Sequence, residues 1–204
     1  MLLDIALGIF VAHFSAAIWD ATVSGWYLIA GISLALLPDI DAVWHYARTR
    51  EVAMHAGSTK DHRDMLHWPL IYLPLVTIGV YLVAGGQGAT LAFMASFLHF
   101  LHDSVGTGWG VKWFRPLSQR SFKLFCERDG TPSWRFIVSW TPRELEEVAT
   151  KYGDPDWIQN LFLRPLWRVI TFQAWPPLGL ALMLVVEVIF PLGVIGLTAY
   201  LRLF

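Results

Sequence analysis

Apolar residues run in blocks along this chain, and polar residues gather at the ends of the blocks. The first block, Leu2–Trp19, has Asp4 near its start and His13 within it. The second, Trp26–Leu37, begins near Val23 and stops at the stretch LLPDID, residues 36–41. Trp68–Ala84 and Ala89–His102 are the third and fourth, separated by Gly85–Gly88. The fifth, Trp175–Phe204, contains Pro191. A bilayer core takes about 20 apolar residues of helix. The pattern therefore predicts an all-α polytopic membrane protein with about five transmembrane helices. Pro191 lacks an N–H and predicts a kink in the last of them. The shorter spans fit burial among neighbours or a locally thin membrane.

Between the fourth and fifth blocks the pattern changes. Phe122, Leu124 and Cys126 alternate with polar residues, as do Trp134, Phe136 and Val138, with an Arg128-Asp129-Gly130 turn between them. Period-two alternation around a turn predicts a β-hairpin. Thr141-Pro142-Arg143-Glu144 has the form of a capping box with proline at the first helical position. It predicts a helix running to about Tyr152 and ending at Gly153. Asp156–Leu163 reads as a short interfacial helix anchored by Trp157 and Phe162. The chain thus divides into a transmembrane core with the candidate site (1–118), an insertion (119–174) and a C-terminal transmembrane helix (175–204).

Composition supports a lipid environment. Apolar residues make up 55% and charged residues 15%, against about a quarter charged in soluble domains. Eleven tryptophans suit a chain with long contact at membrane interfaces. A net charge of −1 gives no reason to expect nucleic acid as a partner. One cysteine, Cys126, excludes an internal disulfide and a cysteine-based zinc cluster. Any metal must be held by His, Asp and Glu. No basic stretch precedes the first block, so it reads as a retained helix rather than a signal peptide.

Apart from Arg202, the basic residues fall in two connections, Arg48 to Arg63 and Lys112 to Arg168. The positive-inside rule places both in the cytoplasm, with the N-terminus inside, in an inner (plasma) membrane protein. Asp4, the Asp39/Asp41 pair, the His62/His67 pair and the His99/His102/Asp103 group then all fall at cytoplasmic ends of spans. Ionisable groups at membrane depth are costly and usually functional. That orientation uses Lys and Arg alone, so the gathering of His and Asp on one side is an independent observation.

Each cluster also has an ordinary reading. PDID alone can end a helix, and residues 61–64 can form a solvated, salt-bridged loop. His99 alone can be a core histidine bonded to a carbonyl. Asp4 can complement the positive end of the first helix. His13 lies about 13 Å along the helix from Asp4 at 1.5 Å per residue, which favours a packed or gap-lining role. His102 points about 100° around the helix from Asp103, and suits a place behind a ligand or facing headgroups. Joint placement favours a metal site. His99 and Asp103 share a helix face at i and i+4. Mixed imidazole and carboxylate donors without cysteine suit zinc, alternatively manganese or iron. The number of donors suits one or two ions.

Among other features, GTGWG (106–110) lacks the Lys-Ser/Thr of a phosphate loop and reads equally as a tight turn or as backbone approaching a substrate. Glu187, mid-span, favours a structural role. Lys112, Arg115, Arg120 and Lys123 read as a patch facing lipid headgroups. Arg63 is the preferred cation for phosphate.

LLPDID at 36–41, HRDMLH at 62–67, and HFLHD followed by GTGWGVKWFRPLS over 99–118 resemble the YdjM-like family of predicted inner-membrane, metal-dependent hydrolases. The resemblance covers roughly residues 34–118. Carried over residue by residue, it implies Asp39, Asp41, His62, His67, His99 and Asp103 as ligands. The family commonly has an early histidine; here His13 is deep and Asp4 stands nearest that place. The His/Asp set is also similar, more distantly, to the zinc-dependent phospholipase C and nuclease fold, which implies phosphoester cleavage.

The expectation is a metal-dependent hydrolase acting at the cytoplasmic face on a phosphoester of a membrane lipid or lipid-linked substrate. His62 would be a ligand or proton shuttle and Arg63 would hold phosphate. A homo-oligomer is compatible with this reading. Two rivals stand beside it. One is a non-enzymatic membrane protein with a structural metal and a partner-binding loop. The other is a small ion-coupled transporter using Glu187 and His13, which the one-sided placement of polar groups disfavours.

Overall fold

The structure is a computed structural model that describes residues 2–40, 47, 66–105, 109–130, 132–152 and 185–203. In chain order the elements are α1 (Leu2–Ile18), α2 (Gly25–Leu36), a 3₁₀ turn (Leu37–Asp39), α3 (Pro69–Val105), β1 (Ser121–Cys126), β2 (Pro132–Trp140), α4 (Pro142–Tyr152), a π-helical turn (Val185–Ile189) and α5 (Phe190–Leu203). Among the described residues the fold is mostly helical, with one two-stranded antiparallel sheet.

This corrects the expectation of about five transmembrane helices. Among the described residues, α3 is the one helix long and apolar enough to cross a membrane. Leu2–Ile18, Gly25–Asp39 and Phe190–Leu201 are apolar but shorter, below the length of about 20 that a spanning helix needs. Apolar content along the sequence overstates the count, because a cap and a turn bound the second block. Ser24 caps α2 by accepting the Tyr27 backbone N–H. At the other end of α2, Pro38 sits in the 3₁₀ turn. The third and fourth blocks are two helical segments of α3 that meet across a kink at Gly85 (φ 67°, ψ −165°). The interfacial helix expected at Asp156–Leu163, and residues 175–184 of the last block, lie outside the described residues.

The chain forms two compact units. The first comprises Met1–Ile40, Ile71–His99 and Leu184–Phe204. Its core is built from Ile9, Val11, Ala12, Leu28, Ala35, Leu91 and Ala95. Small residues let the helices close on one another, as is usual between membrane helices. A Cβ on Gly8 would come within 2.6 Å of the Ile32 Cα, and one on Gly31 would strike the Gly8 carbonyl. The break in α3 is braced by polar groups of α1 and α2. The Ser15 and Tyr27 hydroxyls are 2.9 Å apart, and each reaches the Gln87 carbonyl at 3.4 Å. Trp19 Nε1 donates to Thr90 Oγ1 at 3.1 Å. Along α3, Leu75, Ile78, Tyr81, Leu82 and Val83 are exposed, as suits a face against lipid tails.

The second unit comprises Asp41–Leu70 and Phe100–Met183. Its hairpin pairs Ser121 with Trp140 and Lys123 with Val138, and a bulge falls between Leu124 and Cys126. Phe125, at φ 54°, is the one β1 residue between these pairs, against four on β2 (Ser133 to Phe136), so the extra length lies on β2. Trp109, Cys126, Val138 and Trp140 form the core, with Leu145, Val148 and Ala149 of α4 against them. Gly110, at φ 82°, lies where a Cβ would collide with the Phe122 carbonyl. The last glycine of GTGWG is therefore fixed by close approach of the backbone. Burial pushes the Cys126 thiol up to about 11, so the neutral thiol behaves as a small core residue. The capping box at α4 is complete. Thr141 N–H donates to Glu144 Oε2 at 2.7 Å, Thr141 Oγ1 to the same oxygen at 2.9 Å, and Glu144 N–H to Thr141 Oγ1 at 3.3 Å.

Two outcomes follow from this packing. Gly31→Leu forces bulk between α1 and α2 and should cost about 1–3 kcal/mol, read as an earlier thermal unfolding transition in detergent. The hydrogen bonds from Thr141, with Arg128 beside it, hold the Glu144 carboxyl below its ordinary value of 4.5. Its contribution is present above that value and is lost as pH falls through the lower folded value. Unfolding followed by tryptophan fluorescence between neutral pH and pH 3 should show this acid-side loss, and Glu144→Gln should flatten it.

Candidate metal centre

Three polar residues of the first unit meet at one point. Asp4 enters from the first turn of α1, Asp39 from the 3₁₀ turn after α2, and His99 from α3. His99 Nδ1 is 3.2 Å from Asp4 Oδ1, with the two side chains 1% and 2% exposed. On the other edge of the ring, His99 Nε2 is 3.6 Å from Asp39 Oδ1, and the Asp39 side chain is 38% exposed. One carboxylate is sealed in, and the other is open to solvent.

The second unit holds a matching pair. His67 Nε2 is 3.2 Å from Asp103 Oδ2, with side-chain exposures of 2% and 12%. Phe100 packs edge-on against the His67 ring at 5.9 Å and against Trp113 at 6.3 Å. Trp113 Nε1 donates to Ser104 Oγ at 2.8 Å, and Ser104 Oγ donates to the Phe100 carbonyl at 2.8 Å. Together these contacts fix the aromatic wall behind His67. Arg115 lies 4.2 Å over the Trp68 ring, a cation–π contact next in sequence to His67.

Helix α3 carries both His99 and Asp103, one turn apart on one face. Asp39, His67, His99 and Asp103 form a His/Asp group that could hold a metal ion. Two imidazoles and two carboxylates make a donor set that fits zinc, manganese or iron in the divalent state. Sequence spacing linked His99 to Asp103, and the remaining links are tertiary.

The other candidates fall as follows. Asp4 contacts His99 and is not in the four-residue group. His13 is half-buried farther along α1, and His102 is half-buried on α3; neither is in the group. Asp41, His62 and Arg63 lie outside the described residues, as does the Glu187 side chain. Residues the pattern did not single out are Phe100, Ser104 and Trp113. Ser104 follows Phe100 at i+4 and bonds back to its carbonyl, a habit of serine in helices. Trp113 carried no comparable local sign.

An ion held by this group would depend on His99 and Asp103 alike. His99→Ala and Asp103→Ala should each lose bound metal from purified protein, measured by inductively coupled plasma mass spectrometry, while His13→Ala keeps the wild-type content. Equal metal in all the variants would overturn the assignment.

Residues 3–195 match the family model described as YdjM inner membrane protein. No curated protein and no solved structure matches the chain.

Proposed function

From the premise that the chain belongs to the YdjM inner membrane protein family, we propose that it is a metal-dependent hydrolase of the membrane surface. Its substrate would be a phosphoester of a lipid or lipid-linked molecule. The observation that carries this reading is the four-residue His/Asp group on and around a helix apolar enough to cross a membrane. Asp39, His67, His99 and Asp103 would hold the ion. A divalent ion there supplies Lewis acidity toward a phosphoryl oxygen and makes water more acidic.

The chain's own residues supply the rest. The two histidines are buried, which limits their motion and keeps competing water away. Asp39 is partly open, which leaves an approach for water and substrate, as a catalytic rather than a purely structural site requires. His62 is assigned proton transfer and Arg63 phosphate binding, both from sequence. The His99–Asp103 end of α3 leads directly into a segment with ten basic residues between Lys112 and Arg168. By the positive-inside rule that end belongs on the cytoplasmic face.

The test uses the full chain in mild detergent with a panel of phospholipids, phosphatidate and lipid pyrophosphates. Release of phosphate or headgroup should stop with a chelator, return with zinc or manganese, and fall at least about 100-fold in Asp103→Asn. Metal-loaded protein that cleaves none of these phosphoesters would sink the proposal and leave a structural metal as the better reading.

A further inference from the structure

Resting on the metal reading above, we infer that Asp4 is a positioning residue, which fixes the proton of His99 on Nδ1 and so presents Nε2 to the ion. A neutral imidazole has one N–H and one lone pair, whereas an ionised carboxylate only accepts. Asp4 Oδ1 stands 3.2 Å from His99 Nδ1, and both side chains are almost fully buried. The contact is favourable when the ring proton is on Nδ1.

The opposite edge of the ring supplies a second observation. With the proton on Nδ1, His99 Nε2 carries a lone pair, and it faces Asp39 Oδ1 at 3.6 Å. Two lone pairs directed at each other repel in the absence of a cation, and a metal ion between them turns repulsion into ligation. Metal-bound histidines almost always donate their other N–H to a carboxylate or carbonyl, which fixes the tautomer and raises the basicity of the ligating nitrogen. Asp4 thus acts through His99 from the first turn of α1. Its burial in an apolar unit is accounted for by that role.

Full-length protein with ¹⁵N-labelled histidine rings, in detergent micelles, is stripped with a chelator and titrated with zinc alone. Long-range ¹H–¹⁵N spectra then report which His99 nitrogen carries the proton. Zinc-loaded wild type should keep the proton on Nδ1 and shift Nε2 as the bound nitrogen. Zinc affinity should fall about 10–100-fold in Asp4→Ala and be restored at least in part in Asp4→Glu, with unchanged helical circular dichroism. Zinc on Nδ1, which would put Asp4 itself on the ion, overturns the inference, as does wild-type affinity in Asp4→Ala. Wild type that binds no zinc overturns the metal reading and this assignment together, whereas tight binding in both wild type and Asp4→Ala overturns this assignment alone. An Asp4→Ala that fails to fold still leaves the wild-type tautomer to decide the matter.

Discussion

Asp4 and His99 are buried against each other inside a unit that is otherwise nearly all apolar. Taking an ionised carboxylate out of water costs on the order of several kcal/mol even after relaxation, which apolar side chains cannot offset. A hydrogen bond from an imidazole offsets part of the cost, and a cation beyond the imidazole would offset more. The contact constrains three elements at once. The start of α1 must lie beside the late part of α3, and Asp39 is reached through the same ring.

Helix α3 ties this point to the rest of the chain. Its apolar residues make it the candidate span, and its last turns carry His99 and Asp103 of the candidate metal group. Gly85 interrupts it at a residue where φ is positive, and the polar groups nearby are not left to lipid. Ser15, Tyr27 and Trp19 hydrogen-bond to Gln87 and Thr90. Backbone carbonyls in hydrocarbon must find partners within the protein. The close packing of Gly8 on Gly31 brings α1 and α2 near enough for these side chains to reach.

The hairpin and α4 obey different rules, those of a small soluble core. Trp109 and Trp140 meet edge-to-face at 5.5 Å, and the buried Cys126 thiol fills space beside them. Local chemistry specifies this part closely. The Thr141–Glu144 box satisfies the first N–H groups of α4, and Gly110 lets the chain pass against β1. The motif GTGWG, ambiguous as a sequence, has at its end a glycine required by backbone approach.

Period and spacing alone determined the helical blocks, the hairpin, the capped start of α4 and the shared face of His99 and Asp103. All of these rest on neighbours within a few residues, where backbone geometry is nearly fixed. Apolar content alone overstates the number of spanning helices, because it does not say where a cap or turn ends a helix. Tertiary structure decided that His67 pairs with Asp103, that Asp39 meets His99 on one ring edge, and that Asp4 meets it on the other. Residues 4 and 99 are joined by no local pattern. Only the packing of α1 on its neighbours brings that carboxylate to that imidazole.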